Sequence, residues 1–140
     1  MENNQIKTAV TINWESLDLL QARLGGHNDE TFGEALSRYM DEQKISVVTL
    51  EELSHINRSV LRFYKKGERL PKIGHAVAIC VAMKLHIKRS LHLVSLANFC
   101  FGSSDADLMY LSFLSACWCS DLAVEQCNKV LISRKMDTLV

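Results

Sequence analysis

Six cations fall within fifteen residues, Arg58, Arg62, Lys65, Lys66, Arg69 and Lys72, against one acid, Glu68. Guanidinium and ammonium groups at that density suit phosphate oxygens, and a guanidinium also meets the paired acceptors of a base edge. Spacing sorts the residues. Asn57 is a good N-cap for a short helix in which Leu61 and Tyr64, three apart, face a core. Arg58, Ser59 and Arg62 then point outward together as a base-facing set, while Lys65, Lys66, Arg69 and Lys72 form a phosphate set. Phe63 beside them either meets thymine methyls or marks a surface for protein contacts. The bland alternative is a solvated basic face.

Other chemistry has little to stand on. The chain has no Gly-rich phosphate loop, no H-E-x-x-H and no evident Ser, His and acid arrangement, so an enzyme is not expected. Glu51 and Glu52 are adjacent and point in different directions on a helix, which rules out a working carboxylate pair. His55 reads as a surface residue of a turn. The five cysteines, Cys80, Cys100, Cys117, Cys119 and Cys127, are odd in number, irregular in spacing and free of C-x-x-C. They are expected as buried thiols rather than as disulfides or a metal site, and no cofactor is implied.

The elements that must carry the basic stretch follow from length and periodicity. At 140 residues and 48% apolar composition, the chain supports one domain with an extension and a real core. No apolar run approaches a bilayer span, and the N-terminus lacks a signal-peptide pattern, so a cytosolic protein without membrane contact is expected. Net charge is zero, yet residues 1–57 hold ten acids against four bases, which leaves the positive charge concentrated from Arg58 to Lys72.

Along the chain, Trp14, Leu17, Leu20 and Leu24 predict a short amphipathic helix over 13–24 within an N-terminal segment, 1–30. Thr31 and Glu34 form a capping box for a helix whose apolar face is Phe32, Leu36, Tyr39 and Met40 and which ends near Lys44. After Ser46, a helix over 47–54 buries Leu50 and Leu53; Ile56 fills the turn before Asn57, and Gly67 stops the next helix. A fourth helix buries Ile73, Val77, Val81 and Leu85, and a fifth buries Leu91, Val94 and Leu96 or Ala97. Ser104 and Asp107 cap a sixth with the stripe Leu108, Leu111, Leu114 and Cys117. Asp121 opens the last, with Ala123, Cys127, Val130 and Leu131 buried. The expectation is all-α. Two short helices with a tight turn, the second one basic, are how a protein presents a helix to the DNA major groove.

From Phe32 to Pro71 the chain resembles the small helix-turn-helix domains of phage repressors and xenobiotic-response-element-type bacterial regulators. The resemblance runs through FGEALSRYMDEQKIS, TLEEL, INRSVLRFYKKG and the closing Pro. Its family has aliphatics where Leu50, Ile56 and Leu61 stand, an aromatic at Tyr64 and glycine at Gly67. AVAICVAMKLHIKRSLHLVSLA is similar to the family's fourth and fifth helices, and DADLMYLSFLSACWCSDLAVEQCNKVL to a C-terminal helical extension of some members. About 105 residues are covered. The resemblance implies a five-helix repressor-like domain over 31–98, a C-terminal helical hairpin over 99–140, and sequence-specific binding of double-stranded DNA as a regulator or repressor. Departures lie at Val47, where the family often has a phosphate-holding Gln, at Ser54, usually apolar, and at Phe63, usually polar. Val47 and Phe63 favour the alternative, a non-enzymatic protein-interaction module that keeps the fold without DNA readout. A palindromic operator would suit a homodimer, and the aromatics Phe99, Phe101, Tyr110, Phe113 and Trp118 supply core or a dimer seam.

Overall fold

Six consecutive buried residues, Ala76 to Val81, identify the helix around which the others are laid. A helix that is apolar on every side needs neighbours on every side. The computed structural model describes residues 30–140, so the helix expected over 13–24 lies outside the described residues. Among the described residues there are seven helices and no strand: α1 (Phe32–Gln43), α2 (Val47–Ser54), α3 (Arg58–Lys66), α4 (Ile73–Ala82), α5 (Ile87–Leu96), α6 (Asp105–Cys117) and α7 (Val124–Ser133). The central helix is α4, packed against α2, α5, α6 and α7, while α1 packs on α3 and α5, and α2 on α3. The expected C-terminal hairpin takes a different form: α6 and α7 each bear on α4 rather than chiefly on one another. No helix of the described residues is long and apolar enough to cross a membrane.

Local chemistry fixes the starts. Thr31, Ser46, Asn57 and Ser104 all accept a backbone N–H of the following turn through a side-chain oxygen. The return half of the Thr31 box differs from expectation, because Glu34 Oε1 receives the Thr31 hydroxyl (3.1 Å). Asp107 likewise takes the N–H of Gly102 (2.9 Å) rather than that of its own N-cap. The last helix begins three residues later than Asp121 suggests, with Ala123 as N-cap. Lys84 Nζ donates to the carbonyls of Ser120 (2.7 Å) and Leu122 (3.5 Å), holding the intervening residues off the helical path.

Two backbone approaches set the packing. A Cβ on Gly33 would stand 2.4 Å from the Lys65 carbonyl oxygen and 2.6 Å from that of Tyr64, so α1 and α3 touch main chain to main chain. One on Gly74 would meet the Leu139 carbonyl at 2.7 Å. The segment after α7 thus returns across the first turn of α4, with Leu139 buried and its N–H donated to Asn128 Oδ1 (2.8 Å).

The apolar faces hold with three corrections, and Ile73, Leu111, Ala123 and Val130, expected in the core, are half-buried. Phe32, Leu36, Tyr39, Met40, Leu50, Ile56, Leu61, Tyr64, Val77, Val81, Leu85, Val94, Ala97, Leu114, Cys117, Cys127 and Leu131 are buried as expected. Leu53, Leu91 and Leu108 stand exposed instead, because the inward arcs of their helices are occupied by Leu50 with Ser54, by Ser90 with Leu93 and Val94, and by Phe113, Leu114 and Cys117. Ser90 tolerates burial by donating its hydroxyl to the Leu85 carbonyl (3.2 Å). The thiols divide too: Cys80, Cys117 and Cys127 are buried, whereas Cys100 and Cys119 are exposed. Burial pushes Cys80 and Cys127 up to about 12, which leaves both as protonated, inert thiols at neutral pH.

Ion pairs join α1 and α5, among them Arg89 Nη1 of α5 on Glu42 Oε2 of α1 (2.6 Å) and a cluster at Glu30, just before α1. Arg38 donates through Nε to Glu30 Oε1 (2.8 Å) and through Nη2 to Oε2 (3.1 Å), and His92 lies 3.4 Å from Oε2. These bonds, Arg38 first, hold the Glu30 carboxyl below its ordinary range although burial opposes them. A depressed carboxylate stabilises the fold above its unfolded pKa and loses that contribution as pH falls through the folded value. Glu30→Gln is therefore expected to cost on the order of 1 kcal/mol of stability at pH 7 for a well-formed bidentate pair, read as a lower midpoint of thermal unfolding. The gap to the parent should close in strong acid; a gap that stays constant down to pH 2 would contradict the assignment.

Candidate nucleic-acid interface

The turn between α2 and α3 comprises His55, Ile56 and Asn57. His55 adopts the left-handed conformation (φ 64°) that ends α2. Ile56 is buried, and Ser54 beneath it is satisfied locally, its hydroxyl accepting the Ile56 N–H (3.2 Å). That bond explains how a polar residue occupies the inside of α2. Outside the turn, the His55 Nε2 pairs with Glu125 Oε1 in the first turn of α7, and this contact holds the Glu125 carboxyl below its ordinary range. The turn is thereby pinned on two sides, by core packing within and by α7 without.

Helix α3 is stopped by Gly67 (φ 76°), with the Gly67 N–H on the Tyr64 carbonyl (3.2 Å) and the Glu68 N–H on that of Phe63 (3.0 Å). This is a Schellman ending that needs a left-handed residue. Lys65 and Lys66 sit in the last turn, where the helix dipole favours cations. Leu61 and Tyr64 anchor the inner face, both buried. The Tyr64 ring meets Phe32 of α1 edge-on at 6.4 Å, and its hydroxyl reaches His75 Nδ1 of α4 at 2.7 Å. Burial and then Lys72 push the His75 imidazole down toward its neutral form, while burial raises the phenol, so Tyr64 donates and His75 accepts. Helix α3 is thus held by main-chain contact to α1 and by a hydrogen bond to α4.

On the outer face Asn57, Arg58, Ser59, Arg62 and Phe63 are all exposed. Lys66, Arg69 and Lys72 are exposed beyond them and Lys65 is half-buried, so the nine expected site residues lie along one helix and the segment that follows it. Their engagements differ. Asn57 uses Oδ1 to cap α3 at the Ser59 N–H (2.8 Å). Phe63 is 40% exposed with the Arg69 guanidinium 5.3 Å from its ring centre, so the aromatic and the cation cover one another. Lys72 is the N-cap residue of α4 and makes no side-chain cap bond.

Glu51, set aside in the sequence reading, belongs to this face. Its Oε2 accepts the Arg58 backbone N–H (2.7 Å), and its Oε1 accepts both Nε–H (3.0 Å) and Nη2–H (2.9 Å) of the Arg58 side chain. Seven residues separate the partners across the turn, which is not a spacing that a single-helix pattern picks out. The signal available was the turn itself, since the first N–H of α3 needed an acceptor and α2 offered an acid one turn away.

Comparison with protein-family models, curated proteins and solved structures finds no match to this chain.

Proposed function

We propose that the chain is a sequence-specific double-stranded DNA-binding protein, a transcriptional regulator of repressor type, that lays α3 into the major groove. On this reading α1–α5 form a repressor-like helix-turn-helix domain, and the protein acts in the cytosol as a non-enzymatic homodimer on a palindromic operator. One observation carries the proposal: α3 is held from behind by α1 and α2 and, through the Tyr64–His75 bond, by α4, while Arg58, Ser59 and Arg62 face outward beside Lys66, Arg69 and Lys72. A rigidly held helix with guanidiniums on its free side and cations at its end has the parts needed for base readout and phosphate anchoring.

The test is binding of the full chain to random-sequence duplex at two salt concentrations. Four to six phosphate contacts imply a loss of about two to three orders of magnitude in affinity between about 50 and 200 mM salt. Lys66→Ala is expected to weaken binding equally on every duplex and to reduce the salt slope by about one. Arg62→Ala should relax preference at one base pair, by about 1–3 kcal/mol. Absence of salt-dependent binding would refute the proposal.

A second reading, a protein-interaction module on the same scaffold, is favoured by a separate surface. An open groove of ≈ 450 Å³ lies between the start of α6 and the end of α7, lined by Asp105, Leu108, Met109, Arg134 and Met136. Leu108 there is 52% exposed, and thioether side chains adapt to varied partners.

A further inference from the structure

We infer that Glu51 is a positioning residue that aims Arg58 at a guanine, so that the protein reads one G·C pair through a carboxylate-held guanidinium. The inference rests on the DNA-binding proposal above.

The geometry turns on which edge of the guanidinium is used. A guanidinium presents two pairs of parallel N–H bonds, one along the Nε/Nη2 side and one along the Nη1/Nη2 end. Glu51 Oε1 takes the side pair, at 3.0 and 2.9 Å. Among the described residues nothing bonds to the end pair. Two parallel donors match two neighbouring acceptors, which guanine supplies as O6 and N7 in the major groove. Adenine places a donor, its N6 amine, beside N7, and so meets one of the two N–H bonds with a like partner.

Glu51 is itself immobilised. Its second oxygen receives the first helical N–H of α3 at 2.7 Å, so the carboxylate cannot turn away from Arg58 without uncapping the helix. Those bonds from Arg58 hold the Glu51 carboxyl below its ordinary range, with the field of Arg62 adding to them, so it remains an anion at neutral pH. Ordering a long side chain in advance removes an entropy cost that a free arginine would meet on binding. The anion also offsets the pull of Arg58 on phosphate, which leaves that cation suited to base readout. Arg58 occupies the first position of α3, and the N-terminal residues of a recognition helix are the ones that reach base edges.

The experiment selects bound duplexes from a randomised pool with the full-length chain, and sequences them for the parent, Glu51→Ala, Glu51→Gln, Arg58→Ala and the Glu51→Ala/Arg58→Ala double variant. The parent should enrich guanine at one position of each half-site. Glu51→Ala should reduce that enrichment roughly tenfold while leaving preferences at other positions intact. The double variant should be no worse than Arg58→Ala at that position, and Glu51→Gln, which keeps an acceptor oxygen, should recover part of the loss. Thermal unfolding of each variant separates a lost cap from a lost aim. Unchanged guanine enrichment in Glu51→Ala would reduce Glu51 to a helix cap and overturn the inference. Tighter binding of Glu51→Ala to all duplexes with the parent's pattern of preference would make the carboxylate a mask, which also overturns it. In both cases salt-dependent DNA binding by the parent would stand, so failure of this inference is distinct from failure of the reading beneath it. A parent that retains no duplex overturns both.

Discussion

Gly33→Ala is expected to cost about 3 kcal/mol of stability, the upper end of what a single added methyl does in a packed interior. The added carbon would stand 2.4 Å from the Lys65 carbonyl oxygen, 2.6 Å from that of Tyr64 and 2.9 Å from the Lys65 carbonyl carbon. All three are main-chain atoms of α3, and none can rotate aside as a side chain would. Alanine's better helix propensity returns about 1 kcal/mol, which does not offset the clash. The helices must part, and parting disturbs the edge-on contact of Phe32 with Tyr64 and the Tyr64–His75 bond behind it. Circular dichroism should show the unfolding midpoint lowered by about 10 °C. An unchanged midpoint would mean that α1 and α3 slide past one another freely, and the picture of a rigidly held α3 would be wrong.

Leu61→Ala is the second large effect, expected at about 3–4 kcal/mol. Leu61 is fully buried where α3 faces the core. Truncation removes apolar transfer energy and leaves a void that main-chain contact between α1 and α3 prevents from closing. The informative control is Leu53→Ala, the same substitution on the neighbouring helix at a side chain that is 46% exposed. That change should stay within about 0.5 kcal/mol. Urea titrations that move the Leu61→Ala midpoint at constant slope, and leave Leu53→Ala in place, would bear out the two environments. Equal losses would not.

The contrast between two leucines eight positions apart shows what a sequence reveals of such a fold. Starts were legible because Thr31, Ser46, Asn57 and Ser104 carry the capping oxygen within the segment that they cap. Ends were harder. Lys44, His55, Lys84, Asn98 and Lys135 take the left-handed conformation, where only Gly67 advertises it. Periodicity found inner faces on α1 and α3, where apolar residues lie on one arc. It failed at Leu53, Leu91 and Leu108, because a short helix with two plausible arcs is settled by which neighbour arrives. Ser90 illustrates the point, since its burial depends on a carbonyl five residues away in the turn before α5.

For the candidate site, charge density located α3 and its outward face. What escaped was the pairing within that face. Whether Arg58 is free or held depends on how the turn at Ile56 folds α2 back over the start of α3, and a list of charges does not carry that geometry. The same holds for Arg69 over Phe63 and for His55 with Glu125, both made by bends in the chain.

The return of the chain across α4 has a consequence for synthesis. On α4, Gly74 is covered by residues near Leu139 and Cys80 by α6, each more than thirty positions further along. A ribosome adding roughly 5–20 residues per second makes α1–α5 several seconds before that cover exists. For that interval the nascent protein carries an unshielded apolar strip on its most hydrophobic helix. The completed fold hides it, and the growing chain presents it to whatever meets it first.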